Sequence, residues 1–209
     1  MPRTRLSRAE SREQTRRRLI AAAATIIAKK GLAATSVEKI AAKAGYTRGA
    51  FYSNFSSKVD LFVELLRRDH QDILKSWRAL LEALPFSDDP RKPLASLFSR
   101  CCRDGNYRVI WTEACLHATR DAKFRQCVSV LCLEKQDVIA QVVERLCQND
   151  HTKRSRALTA YVLATMALMD GAAGLTMIMP SALLNATGEV VWIDLLINML
   201  HEHHSSEYD

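Results

Sequence analysis

The stretch Thr47-Arg48-Gly49-Ala50-Phe51-Tyr52-Ser53-Asn54 gathers the side chains with the clearest chemistry in this 209-residue chain. At helical spacing Phe51 turns inward, and Thr47, Arg48, Gly49, Tyr52, Ser53 and Asn54 are left on an outer face. That face carries one cation among hydrogen-bonding groups, with a glycine to admit close approach. Such a set suits phosphate oxygens and base edges better than it suits packing.

Two short helices and a turn must position it. Val37, Ile40, Ala41 and Ala44 recur at helical spacing and predict a helix over Ser36–Ala44. Thr35-Ser36-Val37-Glu38 reads as its capping box, the Thr35 hydroxyl capping backbone N–H groups while Glu38 reaches back. Gly45 ends that helix, Gly45-Tyr46-Thr47 makes a three-residue turn, and Thr47 caps a second helix from Arg48 to about Asn54. Ala41 and Ala44 are small enough for the two helices to cross closely, and Ile40 and Phe51 face inward as a local core. A longer helix precedes them over Ser11–Lys30, with Leu19, Ile20, Ala23, Ile26 and Ile27 on one face and Gly31 at its end. Together these elements form a helix-turn-helix.

Charge points to the same end of the chain. Residues 1–68 hold fifteen Lys and Arg against five Asp and Glu, a net +10, whereas the remainder is net −3. A basic third on a mildly acidic body fits a polyanion met at one end only, although charge alone does not separate DNA from RNA or anionic lipid. Residues 1–10 form a basic arm with Arg3, Arg5 and Arg8.

The motif resembles the DNA-binding domain of the TetR family of repressors. The likeness rests on Gly31, on Thr35-Ser36-Val37 leading to Ile40-Ala41, on Ala44-Gly45-Tyr46-Thr47-Arg48-Gly49-Ala50-Phe51-Tyr52, and on Asn54-Phe55 through Lys58 and Leu61. It runs without a gap from Ile20 to Leu61. Ile27 and Asn54 depart from the family, which often has an aromatic at the first position and an aromatic or His at the second. The resemblance implies that Tyr52 gives its hydroxyl to a phosphate and that Lys58 adds charge near a helix N-terminus, where anions bind. It places Thr35 and Ser36 toward the DNA backbone. Arg48 is expected to fork onto guanine O6 and N7, or to contact phosphate alone. Thr47 either meets a thymine methyl or only caps its helix; the arm either enters a minor groove or attracts DNA non-specifically.

The resemblance further implies an all-α chain in two domains. An N-terminal three-helix DNA-binding domain over 11–56 would precede a helical ligand-binding and dimerisation domain over 57–209. The second domain has the expected apolarity and few breakers, the clearest being Pro85–Pro93; a long helix is predicted from Ser56 and Ser57 to about Leu84, and others at about 94–104, 107–119, 122–148, 152–179 and 187–204. The last two are the candidates for a homodimer interface. A twofold dimer would read an inverted repeat in double-stranded DNA. Candidate effector-pocket residues are Trp77, Phe86, Phe98, Trp111, Phe124, Met166 and Met169, with the polar Glu113 and Asp170, a mixture suited to a hydrophobic small molecule. Each aromatic or Met could equally be core, and either acid could instead pair with an Arg or cap a turn.

Other readings are narrower. The chain has no Gly-x-Ser-x-Gly, His-Glu-x-x-His, phosphate-cradling Gly-rich loop or Cys-x-x-Cys, and the His201, His203, His204 tract is weak evidence for a metal, so no enzyme, metal or cofactor is expected. The six cysteines lack a disulfide or metal-ligand spacing. A thiol-based regulator using Cys101–Cys102, flanked by Arg100 and Arg103, or another of the six cysteines, is one alternative; a non-specific DNA binder is another. The Leu158–Pro180 run is long enough to span a bilayer but contains Asp170 and two glycines, and the expectation is a soluble, cytoplasmic protein.

Overall fold

The computed structural model describes residues 7–84, 89–103, 105–146, 154–179 and 193–199. Phe86, the arm before Ser7, the His-rich tract and both ends of the last expected helix lie outside them, as do the side chains of Arg100, Cys101, Cys102 and Arg103. Every regular element among the described residues is a helix, with no strand: α1 (Arg8–Lys30), α2 (Val37–Ala44), α3 (Arg48–Tyr52), α4 (Lys58–Ala83), α5 (Arg91–Arg103), α6 (Gly105–Ala118), α7 (Ala122–Leu146) and α8 (Arg154–Ile178), with a further helical stretch at 193–199. The all-α expectation holds.

The helix ends follow local chemistry. α1 begins three residues earlier than expected because Ser7 and Glu10 make a reciprocal capping box, Glu10 N–H donating to the Ser7 hydroxyl and Ser7 N–H to the Glu10 carboxylate. α7 is opened by Asp121, whose carboxylate accepts the Phe124 N–H; that bond holds the Asp121 carboxyl below its ordinary range.

The helices fall into two compact units. The first comprises the described residues of 1–69 and 109–128, the second those of 70–108 and 129–209, so α4, α6 and α7 each run through both. Inside the first unit Leu19, Ala23 and Ile27 on α1, Ile40 on α2, Phe51 on α3 and Leu61 and Phe62 on α4 are fully buried. Phe124 stacks on Phe62 with ring centroids 5.5 Å apart, and His117 meets Phe124 edge-on.

The second unit buries Leu74, Trp77 and Leu80 of α4 against Leu94 and Leu97 of α5, Val138, Ile139, Val142 and Val143 of α7, Val162 of α8, and Ile193, Leu196 and Ile197. Two polar contacts lie in the same unit, each joining a buried side chain to a half-exposed carboxylate. The Lys135 ammonium, almost fully buried, donates to Asp170 at 2.6 Å, and His70, 2% exposed, bonds Glu134 at 3.0 Å. Burial pushes the His70 imidazole below its ordinary range, against the pull of Glu134. A buried neutral imidazole makes the unfolded chain the stronger proton acceptor, so stability is full above about pH 6.5 and declines as pH falls below it. Urea midpoints followed from about pH 8 to about pH 5 are expected to fall for the native protein and to flatten in His70→Gln; parallel profiles would sink this assignment.

Candidate nucleic-acid interface

The interface is assembled around two positive-φ glycines. Gly45, at φ 77° and ψ 28°, closes α2 in a Schellman arrangement: its N–H bonds the Ala42 carbonyl and the Tyr46 N–H bonds the Ala41 carbonyl. The chain then turns directly into α3, where the Thr47 hydroxyl accepts the Ala50 N–H at 3.2 Å. Gly31, at φ 75°, ends α1; a Cβ there would also come within 3.0 Å of the Glu113 carboxylate.

α3 has only five residues and is held from behind. Phe51 is fully buried beneath it and lies 5.8 Å from Phe55, centroid to centroid. Arg16 of α1 donates to the Asn54 carbonyl at 2.7 Å, spreads its guanidinium over the Phe55 ring and pairs with Glu64. Sequence reasoning passed over Arg16, since nothing local marks it among the other arginines of α1. The outward side chains are Thr47, Arg48, Tyr52 and Ser53, with Gly49 exposed between them. The Arg48 guanidinium lies 5.4 Å from the Tyr52 ring centroid and pairs with Glu38 of α2 at 3.2 Å. Lys39 and Lys43 of α2 are also exposed. The whole arrangement offers phosphates and base edges a fork, a phenol and hydroxyls on one rigid turn.

Three expected contacts are placed differently. The Thr35 side chain is buried, its hydroxyl donating to the Gly31 carbonyl at 2.7 Å, so it does not face outward. The N-cap of α2 is accordingly Ser36, one residue later than the box read from the sequence; its hydroxyl accepts the Lys39 N–H. Asn54 folds back, its amide donating to the Ala50 carbonyl at 2.8 Å, with its oxygen buried and unpartnered. Lys58 grips the turn after α1 and donates to the carbonyls of Leu32 at 3.0 Å, Ala33 at 3.3 Å and Thr35 at 2.9 Å. Each of these polar groups has found a backbone partner nearer than solvent.

The candidate pocket residues divide between the units. In the second, Trp77, Leu94, Leu97, Phe98, Leu168, Met169, Ile193 and Leu196 line an apolar cavity of about 20 Å³, with Met166 packed against the same core. Asp170 is taken up by Lys135. Trp111, Glu113 and Phe124 do not join that set, because 109–128 belongs to the first unit. There Glu113 accepts the Leu32 N–H at 3.0 Å, and Phe124 is spent on Phe62. Burial pushes the Cys132 thiol up, away from the thiolate that redox chemistry needs.

Residues 19–65 match the family described as bacterial regulatory proteins, tetR family. Over nearly the whole chain the protein is 25% identical to ArpR of Pseudomonas putida, described as a probable HTH-type transcriptional regulator; the match covers 91% of this chain and 93% of ArpR. It is 34% identical to TtgW, an uncharacterized HTH-type transcriptional regulator of Pseudomonas putida, over 44% of this chain and 73% of TtgW. Among solved structures it is similar to SmeT, the repressor of the Stenotrophomonas maltophilia multidrug efflux pump SmeDEF, at 19% identity and a TM-score of 0.64 over 91% of each chain. SmeT has also been solved with triclosan, and that structure is 18% identical with a TM-score of 0.66 over 88% of this chain and 90% of SmeT.

Proposed function

The chain belongs to the tetR family of bacterial regulatory proteins, and from that we propose that it is a cytoplasmic, sequence-specific repressor. It acts as a homodimer on a palindromic operator and is released by a small hydrophobic effector. The observation that carries this reading is the outer face of α3, where Arg48, Tyr52 and Ser53 stand exposed on a helix anchored from behind by Phe51 and Arg16.

The dimer is supported by α8. Leu158–Ile178 is long and apolar enough to cross a membrane by length and composition, yet only 22% of that window is buried within one chain. Leu163, Leu175 and Ile178, and Leu195 in the last stretch, are exposed apolar groups. A second copy packed on these two elements removes that surface from water, and a twofold dimer reads an inverted repeat.

The effector reading is supported by the all-apolar lining of the second unit's cavity. Known small-molecule sites enclose about 300–1,000 Å³, so this cavity is too small for such a ligand as it stands, and the effector selects a state in which it is enlarged. The effector then weakens operator binding by as much as it prefers that state. SmeT, a repressor crystallised with triclosan, is a precedent for the pairing.

Selection of binding duplexes from a random pool at near-physiological salt tests the proposal. The native protein is expected to enrich an inverted repeat. Arg48→Ala is expected to weaken binding to it by roughly 5- to 150-fold and relax one base position per half-site; Tyr52→Ala is expected to weaken binding to all sequences alike. Salt-sensitive binding with no enriched sequence would instead make the protein a non-specific binder.

A further inference from the structure

The one acidic residue between Glu13 and Asp60 stands beside the cation of α3. Glu38 lies in the first turn of α2, and its carboxylate reaches 3.2 Å from Arg48 Nη1. One further contact bears on the geometry: the Arg48 guanidinium sits over the Tyr52 ring, 5.4 Å from its centroid. The Glu38 carboxyl is held below its ordinary range, its own backbone N–H first among the causes, with the Ser36 hydroxyl and Arg48 contributing. Both partners are more than half exposed, so the pair adds little to stability. Its effect lies in binding, where a carboxylate on an otherwise basic stretch repels every phosphate equally.

The geometry points to Glu38 as a specificity-determining positioning residue: it holds the Arg48 fork in one orientation on α3 and withholds it from neighbouring phosphates. A guanidinium has five donors in a fixed plane. With Nη1 occupied by Glu38 and one face against Tyr52, the remaining donors keep a single direction. A swinging Arg48 would neutralise a phosphate on any sequence; a held one gains fully only where a base presents two acceptors. This rests on the regulatory reading above, in which Arg48 meets a base.

The experiment measures binding of the full-length protein by fluorescence anisotropy. Three duplexes are used: the selected operator, the same operator with the base pair read by Arg48 changed, and a scrambled sequence, each from about 50 to 200 mM salt. Glu38→Gln is expected to strengthen binding to the scrambled duplex and steepen its salt slope by about one. It is also expected to reduce discrimination at the Arg48 position by about two- to fivefold, the scale of an exposed ion pair. Glu38→Asp keeps the charge at the α2 N-terminus but shortens its reach, and is expected to lose the same discrimination without the full change in slope. In the Arg48→Ala background, neither substitution should alter discrimination further. Equal weakening on all three duplexes with an unchanged slope, or a loss of discrimination that persists without Arg48, overturns the proposal. If the native protein does not discriminate operator from scrambled DNA, it is the repressor reading that fails, and the scrambled-duplex slope still decides whether Glu38 restrains Arg48.

Discussion

Replacing Phe51 with alanine is expected to destabilise the first unit by about 3–5 kcal/mol and to abolish DNA binding although no outward-facing residue is substituted. The ring is fully buried, lies close to Phe55 and meets Tyr52 edge-on. α3 has five residues, too few to be helical on its own. Its geometry therefore comes from what it covers, and the void left beneath it cannot be filled by so short an element. Typical domains are stable by about 5–15 kcal/mol, so the loss is a large fraction of the total. Urea unfolding followed by circular dichroism should show a lowered midpoint, and anisotropy should show binding lost to operator and scrambled DNA together. A shift below about 1 kcal/mol would mean that α3 is held chiefly by its caps and by Arg16.

Lys58→Met separates two roles that a sequence cannot. Met keeps most of the apolar stem and removes the ammonium, leaving the carbonyls of Leu32, Ala33 and Thr35 without that donor. Hydrogen bonds to charged groups contribute about 1.5–3 kcal/mol, so a stability loss of about 2–3 kcal/mol is expected, with a parallel fall in operator affinity. A lysine acting as a phosphate contact would behave otherwise: stability would hold, and the salt slope of binding would fall by about 0.9. The first outcome supports a lysine that shapes the turn leading into α2, and the second would return it to the DNA backbone.

These two residues also mark how far the sequence could be read. Phe51 was legible because its apolarity contradicts the polar face on which it would otherwise stand, and periodicity then assigns it inward. Gly31, Gly45 and Thr47 were legible because each does a local job: two glycines with positive φ and a cap three residues from its donor. Thr35, Asn54 and Lys58 were read as outward because polarity says that a group needs a partner without saying which one. Thr35 and Asn54 found carbonyls four residues away, and Lys58 found them more than twenty residues away. Distance in sequence limited the pocket set too. Trp77 and Phe98 lie in the second unit while Glu113 and Phe124 lie in the first, because α6 and α7 each change unit part-way along. No periodicity reports that change. Glu113 meets the Leu32 N–H across 81 residues, and only the folded chain reveals that the acid caps a turn.

The discontinuity of the first unit has a consequence in time. Its N-terminal part ends at Asp69, but Glu113, which holds the turn after α1, and Phe124, which covers Phe62, are encoded well downstream. A ribosome adding about 5–20 residues per second leaves an interval of roughly 3–12 s between Asp69 and Val128. During that interval Phe62 has no ring to stack on, and the Leu32 N–H has no carboxylate. The segment that is to meet DNA is thus made first and completed late, and a fragment ending near residue 69 would represent the nascent chain better than the finished unit.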